Sequence, residues 1–192
     1  REQHPDDWWY GLQAACRSLG KQVDLTQARA VALDATSGTI LPVDESSTPL
    51  AAGRMYDDAD TGDLAARIAQ LAPQESAAHG ATSPAARAMG WLDLPNLHCI
   101  LHQADWLNRK LGSDDFITDE NNALKTGYDP VARAWPTWLE SLGLPHVRLP
   151  KVVPVGTPIG KIDAIAASFL GIPAGITLAA GTTDGCATFL AS

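Results

Sequence analysis

The sequence predicts an α/β domain, because segments with helical spacing of apolar residues alternate along the chain with short segments typical of strands. The chain has 192 residues, of which 45% are hydrophobic, and this is enough for one sizeable core or two small ones. Near the carboxyl terminus, an apolar strand-like segment leads through a Gly-Thr-Thr-Asp-Gly string into a helix-like segment. One main domain is therefore expected, with α/β architecture.

The first elements in chain order are one helix and two strands. Residues 5–19 begin with a proline and two aspartates, which suit a first helical turn, and their apolar side chains keep helical spacing until Gly20. Apolar residues alternate over 30–35 and form a short run over 40–43. We interpret the latter two segments as strands joined by a tight turn at 36–39.

Three helices are predicted in the middle of the chain. Residues 64–71 carry a short amphipathic pattern, and 85–91 follow a Ser-Pro pair that suits a helix start. Asn96 precedes a longer pattern in which apolar residues of 97–111 share one helical face. This last segment is the strongest helix prediction in the sequence.

The remaining segments end in a strand, a loop and a helix. Four prolines within 144–160 predict an extended and irregular course. Residues 163–170 are predicted to form a helix that ends at Gly171, and 176–180 a buried strand. A loop is predicted for 181–185, with a helix after it.

The charge balance excludes several classes of protein. Lys and Arg number 14 against 22 Asp and Glu, giving a net charge of −8, which repels nucleic acid phosphates and anionic membrane surfaces. No apolar stretch approaches the ~20 residues of a membrane-spanning helix. Three widely spaced cysteines form no CxxC pair, which favours a reducing compartment. We therefore expect a cytoplasmic protein that binds neither nucleic acid nor membrane.

Asp184 is the first candidate for catalysis. It lies in the Gly-Thr-Thr-Asp-Gly string after a predicted strand, and ligands of open α/β sheets bind beyond such strand ends. A carboxylate there could take the proton of a bound hydroxyl as its oxygen attacks phosphorus, next to the N–H groups of the following helix. The alternative is that Asp184 or Thr183 only caps that helix.

Two further segments could contact a polyol. The hydroxyl-rich turn at 36–39 could hydrogen-bond sugar hydroxyls, although a turn of this composition needs no ligand. Asp57, Asp58 and Asp60 form an acidic patch that could bind a metal or sugar hydroxyls. A solvated acidic loop explains the same residues.

A metal site on the predicted long helix is considered and rejected. His98, His102, Asp105 and Arg109 would lie on one helical stripe, and histidines four residues apart can chelate zinc. The glutamate of an HExxH motif is missing, and the stripe would lie opposite the apolar face. We interpret it as an exposed polar face with an ion pair between Asp105 and Arg109, and we expect no metal ligands. Of the six tryptophans, Trp8, Trp91, Trp106 and Trp138 lie on or beside predicted helices and are interpreted as packing residues.

The segments taken together resemble the FGGY carbohydrate kinases of the actin and hexokinase-like superfamily. The resemblance rests on four motifs in the expected order, namely Pro5–Trp9, Val31–Thr39, Met55–Ala59 and Ala180–Asp184. Two more segments, His102–Leu107 and Asn122–Asp129, resemble the ribulose and xylulose kinases, particularly the D-ribulokinase-like subgroup. The resemblance extends over essentially the whole chain.

The resemblance implies a ribonuclease H-like (actin/hexokinase-like) fold and ATP-dependent phosphorylation of a sugar hydroxyl, most simply of the ketopentose D-ribulose or D-xylulose. It implies ATP and Mg²⁺ as cofactors and a small sugar as substrate, and it is compatible with a homodimer. Asp184 matches the general base of the family. The substrate-side matches are Ser37, Gly38, Asp58 and Asp119, with Asn122 in the same loop as Asp119. The matches on the cofactor side are Gly181, Thr182 and Thr183.

The sequence also departs from the family pattern. Asp60 occupies a position that is usually arginine, so an ionic role there is lost or altered. The resemblance further implies that residues 1–192 are a partial N-terminal sugar-binding domain, incomplete at both ends. An Asp-x-Gly-Thr phosphate loop and a C-terminal ATP-binding domain lie outside this sequence. The 192 residues alone are therefore predicted to have no kinase activity.

Two alternatives remain at this point. One is a non-catalytic sugar-binding or regulatory module of the same fold. The other is an unrelated α/β hydrolase or phosphatase that uses the acidic patch, although the sequence lacks a GxSxG elbow.

Overall fold

The chain forms three small sheets and eight α-helices in a computed structural model, which describes residues 1–192. The helices are α1 Pro5–Leu19, α2 Leu64–Leu71, α3 Pro84–Met89, α4 Gln103–Leu111, α5 Glu120–Leu124, α6 Thr137–Ser141, α7 Ala164–Leu170 and α8 Asp184–Leu190. The strands are β1 Glu2–Gln3, β2 Ala30–Ala35, β3 Ile40–Val43, β4 Gly53–Arg54, β5 Cys99–His102, β6 Ile117–Asp119, β7 Lys151–Val153, β8 Pro158–Lys161 and β9 Thr177–Thr183. The predicted α/β class is confirmed.

The three sheets differ in strand direction. The largest has the antiparallel order β1-β4-β3-β5. In the second, with order β2-β9-β8, β2 runs parallel to β9 and β8 runs antiparallel to it. Strands β6 and β7 form a parallel pair. Strand β2 is an edge of its sheet, whereas β9 is central.

The pair β3–β5 separates two hydrophobic clusters. Opposite residues of an antiparallel pair point to the same face, and successive residues point to opposite faces. Leu41 faces Leu101 within the larger cluster, which includes side chains of α1, α4 and α7. Ile40 and Ile100 belong to the second cluster, with side chains of α2, α3 and α6. Both faces of the pair β3–β5 are therefore buried, and its two strands are mainly apolar.

The predicted helix over 97–111 is wrong in its first half. Residues 99–102 form β5, and α4 begins only at Gln103. A short apolar run such as Cys-Ile-Leu suits a buried strand and a buried helix equally well. Pairing with β3 decides the outcome, and Asp105 then accepts a hydrogen bond from the His102 backbone N–H at the new helix start.

Two other predictions need correction near the ends of β2 and β9. The turn at 36–39 is tight, but it does not join a hairpin, because β2 pairs with β9 and β3 pairs with β5. The predicted loop at 181–185 is absent, because β9 continues to Thr183 and α8 starts at the next residue. In both cases the partner that completes the pairing is distant in sequence.

Several helix boundaries confirm the predictions. Helix α1 starts at Pro5 and ends before Gly20, and α7 ends before Gly171, whose φ of 70° suits a left-handed cap. The Ser83 hydroxyl accepts a hydrogen bond from the Ala86 N–H at the start of α3. No helix in the structure combines the length and the apolar character that crossing a membrane would require.

Candidate active site

The carboxyl ends of β2 and β9 lie side by side. The two strands are parallel, and Ala35 pairs with Thr183 at the last register position. The residues that follow each strand therefore emerge at the same edge of the sheet, where ligands of α/β proteins bind. The backbone N–H of Ser37 reaches Oδ1 of Asp184 at 3.4 Å. The structure thus brings together two segments, separated by almost 150 residues in sequence, that were predicted to act on the same substrate.

Asp184 presents an exposed carboxylate at this edge. Of the two capping alternatives, Thr183 is the N-cap of α8, because its hydroxyl accepts a hydrogen bond from the Cys186 N–H. The Asp184 carboxylate is therefore not needed as the cap. Its Oδ1 accepts from the N–H groups of Gly185 and Ser37, and no protein donor contacts its Oδ2. This leaves one carboxylate oxygen free to accept a proton from a bound molecule.

The turn that contains Ser37 and Gly38 is held from several sides. The Thr39 N–H donates to the Thr36 carbonyl at 3.2 Å, and Gly38 has a φ of 87°, a left-handed conformation that suits glycine. The side-chain oxygen of Gln103, at the start of α4, accepts a hydrogen bond from the Thr36 N–H at 3.2 Å. The predicted contact of Ser37 and Gly38 with substrate stays a prediction.

Gly181, Thr182 and Thr183 all make packing or hydrogen-bond contacts inside the fold. A Cβ at Gly181 would lie 1.7 Å from the Leu33 carbonyl oxygen, so close packing of β9 on β2 requires glycine here. The Thr182 hydroxyl accepts a hydrogen bond from Asn121 Nδ2 at 2.8 Å, and Thr183 caps α8. Each of the three residues predicted to contact the cofactor thus has a structural role.

Asp119 organises the start of α5, a segment that contacts β9. It is the N-cap of α5, and its carboxylate accepts from the N–H groups of Asn121 and Asn122 and from Asn122 Nδ2. Burial raises the pKa of Asp119, although the hydrogen bonds from Asn122 oppose this shift. Asn122 Nδ2 also donates to the Thr182 carbonyl at 3.2 Å. A role of Asp119 in contacting sugar stays a prediction, and three hydrogen bonds from its own loop already engage the carboxylate.

Asp58 is buried and paired with Arg54. Arg54 Nε donates to its Oδ2 at 2.7 Å, and the Asp60 N–H donates to its Oδ1 at 3.0 Å. The Arg54 hydrogen bond, and then the Asp60 N–H, hold the pKa of Asp58 well below its usual range. Asp60 itself contacts Arg54 through its carbonyl oxygen. Arg54, four residues before Asp58, therefore places a guanidinium group beside the acidic patch.

The predicted exposed polar face at 98–109 is wrong. His102 and Asp105 are each 1% exposed, and the His102 Nδ1 lies 2.7 Å from Asp105 Oδ2. The other His102 nitrogen lies 2.9 Å from the Thr126 hydroxyl. Arg109 does not pair with Asp105; its guanidinium contacts Ser47 and the Ser113 carbonyl. Because His98 and His102 lie before α4 and only Asp105 and Arg109 lie within it, the four residues do not form one helical stripe.

Three residues that sequence analysis overlooked support this site. Arg87, Gln103 and Asn121 each donate or accept hydrogen bonds that tie one predicted site segment to another element. A single arginine inside the run Ala-Ala-Arg-Ala-Met is a recognisable signal, because a charge on an otherwise apolar helix needs a specific partner. Gln103 and Asn121 carry no comparable signal, since their neighbours in sequence are also polar.

Comparison with known proteins supports the fold. The structure is similar to xylulose kinase from Rhodospirillum rubrum, with a TM-score of 0.85, 20% identity, and coverage of 99% of this chain and 42% of that one. It is also similar to gluconate kinase from Lactobacillus acidophilus (TM-score 0.83, 15% identity, 96% and 40% coverage). Glycerol kinase with ADP from Plasmodium falciparum gives a TM-score of 0.78 at 14% identity, with 96% and 40% coverage.

These similarities confirm the predicted α/β fold of the actin and hexokinase-like type. The chain spans about two fifths of the length of each of these solved structures. The model of the N-terminal domain of the FGGY family of carbohydrate kinases matches residues 92–191, just over half of the chain. This chain belongs to the FGGY family of carbohydrate kinases.

Proposed function

We propose that the protein phosphorylates a sugar hydroxyl with ATP as the phosphoryl donor, and that residues 1–192 provide the sugar side of its active site. The observation that carries this proposal is the exposed Asp184 carboxylate beside Ser37 at the carboxyl ends of two parallel strands. Membership of a carbohydrate kinase family supports the reaction class. The acidic patch around Asp58 and the loop of Asp119 would complete the sugar side.

Asp184 acts as the general base in this proposal. Its carboxylate accepts the proton of the sugar hydroxyl while that oxygen forms a bond to the γ-phosphorus of ATP and the bond from phosphorus to the bridging oxygen breaks. The electron pair leaves with ADP. The Ser37 N–H holds Oδ1, so the free Oδ2 is the oxygen placed to take the proton.

The contacts described for this chain assign none of its residues to nucleotide or Mg²⁺. No group of three or more His, Cys, Asp or Glu side chains is arranged to hold a metal ion. The Thr182 and Thr183 hydroxyls, which were predicted to contact the cofactor, accept hydrogen bonds within the fold. We therefore derive no step through Mg²⁺ and assign this chain only the sugar and its proton.

The substrate we propose is a ketopentose, D-ribulose or D-xylulose. The resemblance of 102–107 and 122–129 to ribulose and xylulose kinases supports this choice, and a xylulose kinase is among the similar structures. Gluconate and glycerol kinases have the same fold, so the fold alone does not select the sugar. A panel of ketopentoses, gluconate, glycerol and other polyols, each assayed with ATP, tests the choice through kcat/KM.

Asp184→Asn in the full-length protein tests the role of the base. We expect kcat to fall about 10²–10⁴-fold, because the carboxylate that accepts the proton is lost, while sugar binding measured by calorimetry is retained. Asp93→Asn, at an exposed position away from the site, is the control and should leave kcat unchanged. Unchanged turnover in Asp184→Asn would reject this residue as the base.

The same assays separate the alternatives. A non-catalytic sugar-binding module binds sugar without turnover of ATP in the wild type. A hydrolase or phosphatase that uses the acidic patch releases phosphate from an ester in the absence of ATP. Either result in the full-length wild-type protein would overturn the kinase proposal.

A further inference from the structure

Arg87 is a completely buried arginine in α3 that binds backbone carbonyls from separate segments. Its Nη1 donates to the carbonyl of Met55 at 2.6 Å and to that of Arg54 at 3.0 Å. Its Nη2 donates to the carbonyl of Gly38 at 2.7 Å and to that of Thr82 at 3.0 Å. A buried cation is costly unless it is hydrogen-bonded, so this arrangement must compensate for the desolvation of the guanidinium.

The carbonyls held by Arg87 belong to two segments predicted to contact the sugar. Gly38 follows Ser37 in the turn beside Asp184, and the segment from Arg54 to Met55 leads directly to Asp58. A second contact parallels this link, because the Thr39 hydroxyl accepts a hydrogen bond from the Tyr56 N–H at 3.2 Å. Arg87 therefore links the turn directly to the segment that leads to the acidic patch.

The guanidinium suits this task better than an ammonium group would. Its five donors have a fixed planar geometry, so two nitrogens can bind carbonyls on two sides at once, whereas a lysine ammonium is a single compact group. Burial lowers the pKa of Arg87 to about 10, which leaves the side chain charged at neutral pH. Its position is thus maintained under the conditions of the proposed reaction.

We propose that Arg87 is a positioning residue for the sugar, which holds the Ser37 turn and the Asp58 segment in the arrangement that the sugar requires. The proposal rests on the proposed function. Arg87 does not touch the reacting atoms, and its effect is transmitted by the Gly38 and Met55 carbonyls. Loss of Arg87 should therefore weaken sugar binding and leave ATP binding unaffected.

The experiment compares Arg87→Met and Arg87→Lys in the full-length protein. We expect the KM for the sugar to rise about tenfold or more in Arg87→Met and by a smaller factor in Arg87→Lys, with the KM for ATP within about twofold of wild type. Arg148→Met is the matched control, because Arg148 also donates to backbone carbonyls, those of Leu97 and His98, in another part of the fold. It should leave the KM for the sugar unchanged.

The KM values separate positioning from folding. A purely structural role of Arg87 would reduce the folded fraction, which lowers the apparent kcat and leaves both KM values unchanged, and this result would overturn the proposal. If Arg87→Met does not fold, Arg87→Lys is the deciding variant. A KM for the sugar within twofold of wild type in Arg87→Lys would then overturn this inference and leave the proposed function standing. A wild-type protein that phosphorylates no sugar would overturn the proposed function, and this inference with it.

Discussion

Two strand-to-helix junctions of this protein have an aspartate in the first turn of the helix, and they differ in almost every other respect. At the junction of β9 and α8, Asp184 is exposed and Thr183 provides the cap. At the junction of β5 and α4, Asp105 is 1% exposed and binds both the backbone N–H and the ring of His102. An aspartate in the first helical turn thus serves as a candidate base in one place and as an internal polar contact in the other.

The difference follows from what covers each junction. His102 contacts the hydroxyls of Thr118 and Thr126, so β6 and the segment after α5 enclose the junction of β5 and α4. No comparable side-chain cluster covers Asp184, whose only distant partner is the Ser37 N–H. An aspartate after a strand therefore indicates chemistry only when tertiary packing leaves its carboxylate accessible.

The largest expected effect is on stability at the buried junction. Asp105→Ala should lower the free energy of unfolding by about 3–5 kcal/mol, because it leaves the buried His102 backbone N–H without its acceptor and removes the carboxylate that binds the His102 ring. Asp184→Ala is the matched variant and should change stability by less than about 1 kcal/mol. Denaturant unfolding of the full-length protein measures both. Equal losses in the two variants would contradict the distinction between the junctions.

A second experiment tests whether the glycines around Asp184 serve packing or substrate. Gly181→Ala should lower stability by about 3 kcal/mol, because the new Cβ would overlap the Leu33 carbonyl and force β9 away from β2. Gly185 has no atom within 4 Å of an added Cβ, so Gly185→Ala in α8 should be neutral or stabilising by up to about 1 kcal/mol.

Thermal unfolding of both glycine variants provides the measurement. A wild-type melting temperature in Gly181→Ala would show that the close contact between β9 and β2 does not require glycine. Reduced sugar binding in a stable Gly185→Ala would instead show that substrate approaches the backbone at the start of α8.

The smallest effect concerns Asp58, which is buried like Asp105 but paired with a cation. Its pKa is lowered on folding by Arg54 and the Asp60 N–H, so its contribution to stability is present above pH 4 and is lost as the pH falls further. Asp58→Asn should cost about 1–2 kcal/mol at pH 6, and the difference from wild type should shrink between pH 5 and pH 3. Urea unfolding at each pH gives the values.

Asp60→Asn is the control for this titration. The Asp60 side chain is exposed, and only the backbone carbonyl oxygen of Asp60 binds Arg54. The substitution should therefore change stability by less than about 0.5 kcal/mol at every pH measured. A difference between Asp58→Asn and wild type that does not depend on pH would contradict the ion pair with Arg54.

Local signals in the sequence predicted the helices with clear caps and the positions of the strands β2, β3 and β9. Pro5, Ser83 and Gly171 mark boundaries whose chemistry is contained within a few residues. The run over 99–101 was assigned to a helix because its apolar residues satisfy both periodicities, and only pairing with β3 distinguishes them. As a consequence, the sequence predicts His102 and Asp105 on an exposed face, whereas both lie in the interior of the structure.

The sequence by itself determined the α/β class, the family and the candidate base, because order and spacing of motifs are properties of the chain alone. Tertiary structure alone decided that Ser37 lies beside Asp184, that Arg54 neutralises Asp58, and that Arg87 joins two loops. Each of these contacts except the pair of Arg54 and Asp58 joins residues more than 30 positions apart. Such contacts depend on parallel pairing and burial, which a single sequence does not encode in any local pattern.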